Sequence, residues 1–313
     1  MKTVLRCLLA GMTMAASLGA SAQFPDRPIT LIVPWAAGGS TDQSSRALAK
    51  AAERYLEQPI VVVNKPGAST TIGMAELARA KPDGYTIGTL SSSSYLLAAG
   101  GRQLPYDPIK DFTYISYYGD NLIGVAVMSE SKWKSLADLI ADGKAQPGKI
   151  KYGTAAVGST QHLTTEALQR ATGAKFTHIP QKGSAGSMPS LLGNHVDFIT
   201  ETSVWAPFVE QKQVRLLAVT APTRAPDYPD VPTFAELGFP TVRSIQAIIG
   251  PDGIPEPVRA KLEQAFRKAL DDEGFRNVMK RLSMQIVDMP GPEVRKLVEA
   301  EFKRAHELVE ATK

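Results

Sequence analysis

The residues best suited to chemistry lie in two turns, Trp35 to Asp42 and Gly153 to Thr160, both rich in glycine and small hydroxyl side chains. Each stands between an apolar run and a helical pattern. A strand–turn–helix of this kind aims unpaired backbone N–H groups at one point, which carries partial positive charge and attracts an anion. The chemistry on offer is therefore recognition rather than bond making. The candidates in the first turn are Trp35, Ala36, Gly38, Gly39, Ser40 and Asp42. In the second they are Ala155, Gly158, Ser159, Thr160 and His162, which begins the next helix. The second turn is a near miss to a phosphate loop, with Ser159 where that motif needs lysine. Without the lysine and a magnesium-holding carboxylate no nucleotide is expected, whereas a carboxylate needs only the N–H donors.

Three further segments add candidates. Ser91, Ser92 and Ser93 open a serine run that reads as a loop directly after a strand, and open α/β sheets bind ligands beyond such strand ends. Lys182 lies in another glycine and serine loop, and Glu201 and Thr202 close a strand. Glu201 would disfavour a second anion unless paired, and Lys182 could supply that pairing or read a second carboxylate. Asp42 has three readings: cap of the first helix, acceptor for a ligand donor, or repellent of the anion. The cap, from Asp42 or Ser40, is the favoured one. Trp35 is either core or a flat wall for a ligand body, and Trp205 is expected to pack.

Other chemistries find little footing. His162, His178, His195 and His306 form no metal-binding pair. There is no G-x-S-x-G elbow. A triad of Ser40, Asp42 and His162 would span a cleft whose walls move, a poor place to hold a nucleophile–base hydrogen bond. No catalytic residue, metal or cofactor is expected.

The elements that position these turns alternate. Strands are expected at Ile29–Pro34, Pro59–Asn64 and Tyr85–Leu90, with helices from Gln43 to Leu56 and Ile72 to Ala80 between them. That order predicts a doubly wound parallel sheet. The extended stretches Asp111–Tyr118 and Leu122–Met128 read as a crossing to a second unit. That unit repeats the pattern with strands Ile150–Thr154, Phe176–Pro180, Val196–Thr200 and Arg215–Thr220. Ser244–Gly250 crosses back. Helices Pro255–Leu270, Asp272–Leu282 and Pro292–Val309 close over the first unit, the last by a stripe of Val294, Leu297, Val298, Phe302, Ala305 and Leu308.

Residues 1–22 read as an export signal: Lys2 and Arg6, an apolar run from Leu8 to Leu18, and an A-x-A site at Ala20, Ser21 and Ala22. The apolar run is too short for a membrane span. The formal charge is +4 over 313 residues, falling to +2 once Lys2 and Arg6 are removed. With no basic block, nucleic acid is excluded as the main partner. The only cysteine, Cys7, lies inside the signal without the surroundings of a lipid anchor.

The matching stretches include Phe24 to Ile29, Ile32 to Asp42, Val63 to Ala68, Pro82 to Thr86, Leu104 to Pro108, Gly158 to Leu163, Leu216 to Thr220 and Pro229 to Gly238. On these the chain resembles the Bug (Bordetella uptake gene) family of periplasmic solute-binding proteins, the TctC-type receptors of tripartite tricarboxylate transporters. The resemblance covers the whole mature chain. It implies a two-lobed α/β Venus flytrap with two crossover strands, its lobes formed by 23–122 with 244–313 and by 123–243. It implies that Trp35 to Asp42 and Ala155 to Thr160 grip one carboxylate. Ser69, Thr70 and Thr71 depart from the glycine and asparagine usual in the family, so that segment is expected to shape the pocket differently. The expected function is a periplasmic, monomeric receptor that delivers a small aromatic or aliphatic mono- or dicarboxylate to an integral-membrane permease. A ligand-sensing co-receptor for a signalling system is the alternative, and a hydrolase the remote one.

Overall fold

The structure, a computed structural model, describes residues 24–310. The export signal at 1–22 lies outside the described residues. Among those described, no helix is long and apolar enough to cross a membrane.

Two sheets organise the chain. The first contains β1 (Ile29–Val33), β2 (Ile60–Asn64), β3 (Thr86–Ser91), β4 (Phe112–Asp120), β10 (Ile245–Pro251) and β11 (Gln285–Pro290), in the order β11-β4-β10-β3-β1-β2. The second contains β5 (Ile123–Met128), β6 (Lys151–Thr154), β7 (Thr177–Pro180), β8 (Phe198–Thr202) and β9 (Val214–Val219), in the order β7-β6-β8-β5-β9. β1 pairs in parallel with β2 and β3, as the alternation predicts. The sheet as a whole is mixed, which corrects the all-parallel expectation. The returning chain inserts β10 antiparallel between β3 and β4, and β11 adds an antiparallel edge. β11 was not expected at all. Its residues are exposed or half-buried, so no buried apolar run marks it.

The chain passes from one sheet to the other through Asn121 and Leu122, between β4 and β5. It returns through the segment that ends at β10. The passages lie side by side, with Asn121 N–H donating to the Ser244 carbonyl at 2.9 Å. Two short connections of this kind permit hinge motion between the halves.

Both faces of each sheet are covered. On the first, Ile29 and Leu31 join a core with α1 (Ser40–Leu56), while Ile32 joins the opposite core with α2 (Thr71–Ala78). The serine run is no loop. It leads into α3 (Ser93–Ala99), and Ser91 to Ser94 are buried. On the second sheet α4 (Leu136–Ala145) and α5 (Thr160–Thr172) are followed by two short helices, α6 (Ser187–Leu192) and α7 (Ala206–Glu210). Ser135 and Asp138 form a capping box that starts α4. Trp205 is fully buried and donates from Nε1 to the Glu201 carbonyl at 2.9 Å. Finally α8 (Glu256–Ala269), α9 (Glu273–Arg281) and α10 (Gly291–Glu310) pack on the first sheet. Val294, Val298 and Ala305 of α10 are buried there, with Leu297 and Phe302 packed beside them, as the helical stripe predicts for these five; the side chain of Leu308 lies outside the described residues.

Candidate ligand-binding site

The site forms where the carboxyl ends of the two sheets face each other. On the first wall β1 ends at Val33, and Gly38 turns the chain at φ +87°. That left-handed conformation strongly favours a residue without Cβ. Gly39 is the N-cap of α1 and has no side chain to cap with. The first-turn N–H groups of Ser40 and Thr41 therefore remain free of the helix. This corrects the expected cap from Asp42 or Ser40. Asp42 is buried behind the turn. Its Oδ2 accepts from Gly38 N–H at 2.9 Å, and its Oδ1 accepts from Arg46 Nε at 2.9 Å and Asn64 Nδ2 at 2.8 Å. Both oxygens are hydrogen-bonded, so Asp42 props the turn, and it is absent from the lining of the cavity.

The second wall repeats the plan. Ser159 is the N-cap of α5, and its Oγ accepts from His162 N–H at 3.2 Å. The walls touch. Ser40 Oγ donates to Thr202 Oγ1 at 2.9 Å, and Thr160 N–H donates to Ser93 Oγ at 3.2 Å. Ser69 Oγ donates to the Val157 carbonyl, so the segment of Ser69 to Thr71 reaches the opposite turn. Gly183 approaches so closely that a Cβ there would lie 3.1 Å from Ala36 Cβ.

Between the walls lies a cavity of about 20 Å³, where one water needs roughly 10–15 Å³. An organic acid requires the walls to move apart. Trp35, Ala36, Gly39, Ser40, Ser91, Thr160 and Thr202 line it, as the sequence suggests. Thr41, inside the first turn, also lines it, and Asn121, Gln161, Ser184 and Ser244 complete the lining without having been anticipated. None of these side chains is charged. The cavity offers peptide N–H groups and hydroxyls, donors suited to an anion, beside two amide side chains.

Comparison with known proteins decides what kind of molecule this is. Residues 44–313 match the family described as TctC, the tripartite tricarboxylate transporter family receptor. The chain belongs to the TctC family. The structure of the periplasmic binding protein BugD is 30% identical in sequence, with a TM-score of 0.86 over 92% of this chain and 98% of that one. MatC from Rhodopseudomonas palustris, solved with malate, is 28% identical, with a TM-score of 0.84 over 91% of this chain and 100% of that one. An R. palustris protein solved with adipate is 28% identical, with a TM-score of 0.85 over 92% and 98%. The two-lobed fold and the role of solute-binding receptor follow from this membership, and the family is not enzymatic.

The remaining candidates support the TctC cleft from behind. Ser92 Oγ accepts from Ile245 N–H at 2.8 Å and from Tyr95 Oη at 3.0 Å. The Ala155 carbonyl accepts from Gly183 N–H at 2.9 Å. Gly158 N–H donates to His162 Nδ1 at 3.2 Å. His162 thus secures the turn, but it does not line the cavity. Its ring lies 4.2 Å from that of His178, and both stand against Tyr152. Lys182 is exposed and absent from the lining. Nor does it pair with Glu201, which corrects that expectation. Glu201 is fully buried and accepts from Ser187 Oγ at 3.0 Å, Thr202 N–H at 2.8 Å and Gln161 Nε2 at 3.2 Å. Burial pushes its carboxyl up from the ordinary range, against the lowering effect of these donors. Among the described residues no cluster of three or more acidic, histidine or cysteine side chains could hold a metal.

The histidine pair makes stability pH-dependent in this TctC protein. Burial, and then the neighbouring His162, push His178 down from 6.5 to about 4. Burial also lowers His162. Between these limits the unfolded chain binds more protons than the folded one, so stability falls as pH drops through the window from 6.5 to about 4. Thermal melts should show this decline, and His178→Asn should reduce its slope. An unchanged slope in that variant would remove His178 as a cause.

Proposed function

We propose that this chain is the periplasmic receptor of a tripartite tricarboxylate transporter, exported by the signal at 1–22. It captures a small organic carboxylate between its lobes and hands it to an integral-membrane permease. The lobes are 23–122 with 244–313, and 123–243, and they act as a monomer. The observation that carries the reading is the meeting of two helix N-termini, at Ser40 and Thr160, around a cavity without charged side chains. An anion there gains N–H donors and helix-end partial charge from both lobes at once. Closure excludes water and strengthens each of those bonds. The ligand shifts the open–closed equilibrium through contacts that only the closed state completes.

Of the ligand classes open at the outset, aliphatic acids lead. Malate and adipate, bound by the two R. palustris proteins, are aliphatic diacids. A thermal-shift screen over mono- and dicarboxylates tests the reading. At a ligand concentration 100 times Kd, linkage predicts stabilisation of about 2.7 kcal/mol. A screen in which no carboxylate raises the Tm would end the proposal. Loss of uptake of the same acid on deletion of the gene tests the delivery step.

A further inference from the structure

We propose that the ligand carries a hydroxyl next to its carboxylate, and that Gln161 and Asn121 are the residues that read it. The proposal rests on the carboxylate-receptor reading above and narrows it. Both amides in the cavity lining have their nitrogens committed elsewhere. Gln161 Nε2 donates to Glu201 Oε2 at 3.2 Å, and Asn121 Nδ2 donates to Ser244 Oγ at 3.2 Å. Glu201 already accepts from Thr202 N–H and Ser187 Oγ, so an amide nitrogen suits it and an amide oxygen does not. Gln161 is thereby left with its carbonyl oxygen, and Asn121 is left with Oδ1 in the orientation that donates from Nδ2 to Ser244. Asn121 Oδ1 is buried without any hydrogen-bond partner, although buried polar atoms are nearly always paired.

Both amides belong to residues that line a cleft built for an anion, and a carbonyl oxygen presented there repels a second carboxylate oxygen and favours a donor. The serine and threonine hydroxyls of the lining do not fix this choice, because each rotates to donate or accept. Among ligand donors, an ammonium would need a counter-charge when buried. No carboxylate lines the cavity, and Glu201 stands behind Gln161 with its oxygens occupied. A neutral hydroxyl meets the two acceptors without that cost. A 2-hydroxy acid therefore fits the wall better than the corresponding plain acid. The plain acid leaves a buried acceptor unpaired, a loss of roughly tenfold to hundredfold in affinity.

The experiment compares acids that differ only in that hydroxyl: malate with succinate, lactate with propionate, and mandelate with phenylacetate. Titration calorimetry on the purified protein measures each affinity. In whichever pair binds, the hydroxy acid should bind roughly tenfold to hundredfold more tightly. Gln161→Met should bring the ratio towards one by weakening the hydroxy acid alone, and Asn121→Ala is the second variant for the same readout. Equal affinities within every binding pair overturn the proposal and leave the receptor reading standing. Tighter binding of aspartate than of malate overturns it in favour of an ammonium. Preservation of the ratio in both variants removes these two residues from the readout. If none of these acids binds, the hydroxy-acid proposal falls, while the carboxylate-receptor reading is judged separately by the thermal-shift screen over the wider set of acids.

Discussion

Replacing Gly39 with leucine should lower ligand affinity by about a hundredfold while leaving the unliganded fold in place. Gly39 lines the cavity, and a Cβ at this position would already lie 3.6 Å from Ser184 Cβ on the opposite wall. Alanine makes an ordinary contact there and should bind nearly as well as the parent. Leucine projects three more carbons into a closed space, and overpacking of this kind costs about 1–3 kcal/mol. The cost falls on the closed, ligand-gripping arrangement. Its backbone, at φ −75° and ψ 169°, is an extended conformation open to any residue. Exchanging a glycine N-cap for leucine should lower stability by roughly 0.5–1 kcal/mol, a few degrees in Tm at most. Calorimetry beside a thermal melt separates the two effects. Wild-type affinity in the leucine variant would take this turn out of the site.

The largest effect on stability should come from Glu201. Replacing it with leucine leaves the Thr202 N–H, Gln161 Nε2 and Ser187 Oγ without their shared acceptor. Stranding several buried donors costs about 3–5 kcal/mol, and at this chain length the Tm should drop by roughly 6–15 °C. Glutamine should be tolerated, for a geometric reason. Its oxygen can still accept from Thr202 N–H and Gln161 Nε2, while its nitrogen faces Ser187, whose hydroxyl can turn to accept. Equal melting points for the leucine variant and the parent would refute the account of Glu201 as the hub behind the wall. A glutamine variant as unstable as the leucine one would show that the charge, not the shape, matters.

The two turns and their helices were legible in the sequence because each is local. A strand, a glycine pair and a helix occupy about twenty consecutive residues, and their backbone donors follow from that order alone. The stripe on α10 was legible for the same reason, through its spacing. Asn121, Gln161, Ser184 and Ser244 were not, because no local pattern marks them. Asn121 and Ser244 reach the cavity only because two chain crossings, 123 residues apart, run side by side. Gln161 acquires its orientation from Glu201, 40 residues away. Asp42 was misread for a related reason. Its position suits a cap, but its actual partners include Asn64 on β2, and only the pairing of β2 with β1 brings that side chain near. The serine run looked like a loop because four hydroxyl residues in a row carry no helical stripe. Burial against the second lobe and β10 supplies what the spacing lacks.

The absence of charged side chains from the lining bears on descent as well as on binding. A grip made of peptide N–H groups at two helix ends survives most amino-acid replacements, since mutation changes side chains and leaves the peptide bond. On the proposed binding mode, the side chains that face the rest of the ligand, Gln161 and Trp35 among them, are separate from that grip. If the ligand is a carboxylate, as proposed, a duplicated gene can thus sample new acids by one or two codon changes while keeping its hold on the common group. One ancestral receptor could in this way give rise to a repertoire, each copy with its own diet and all with the same grip.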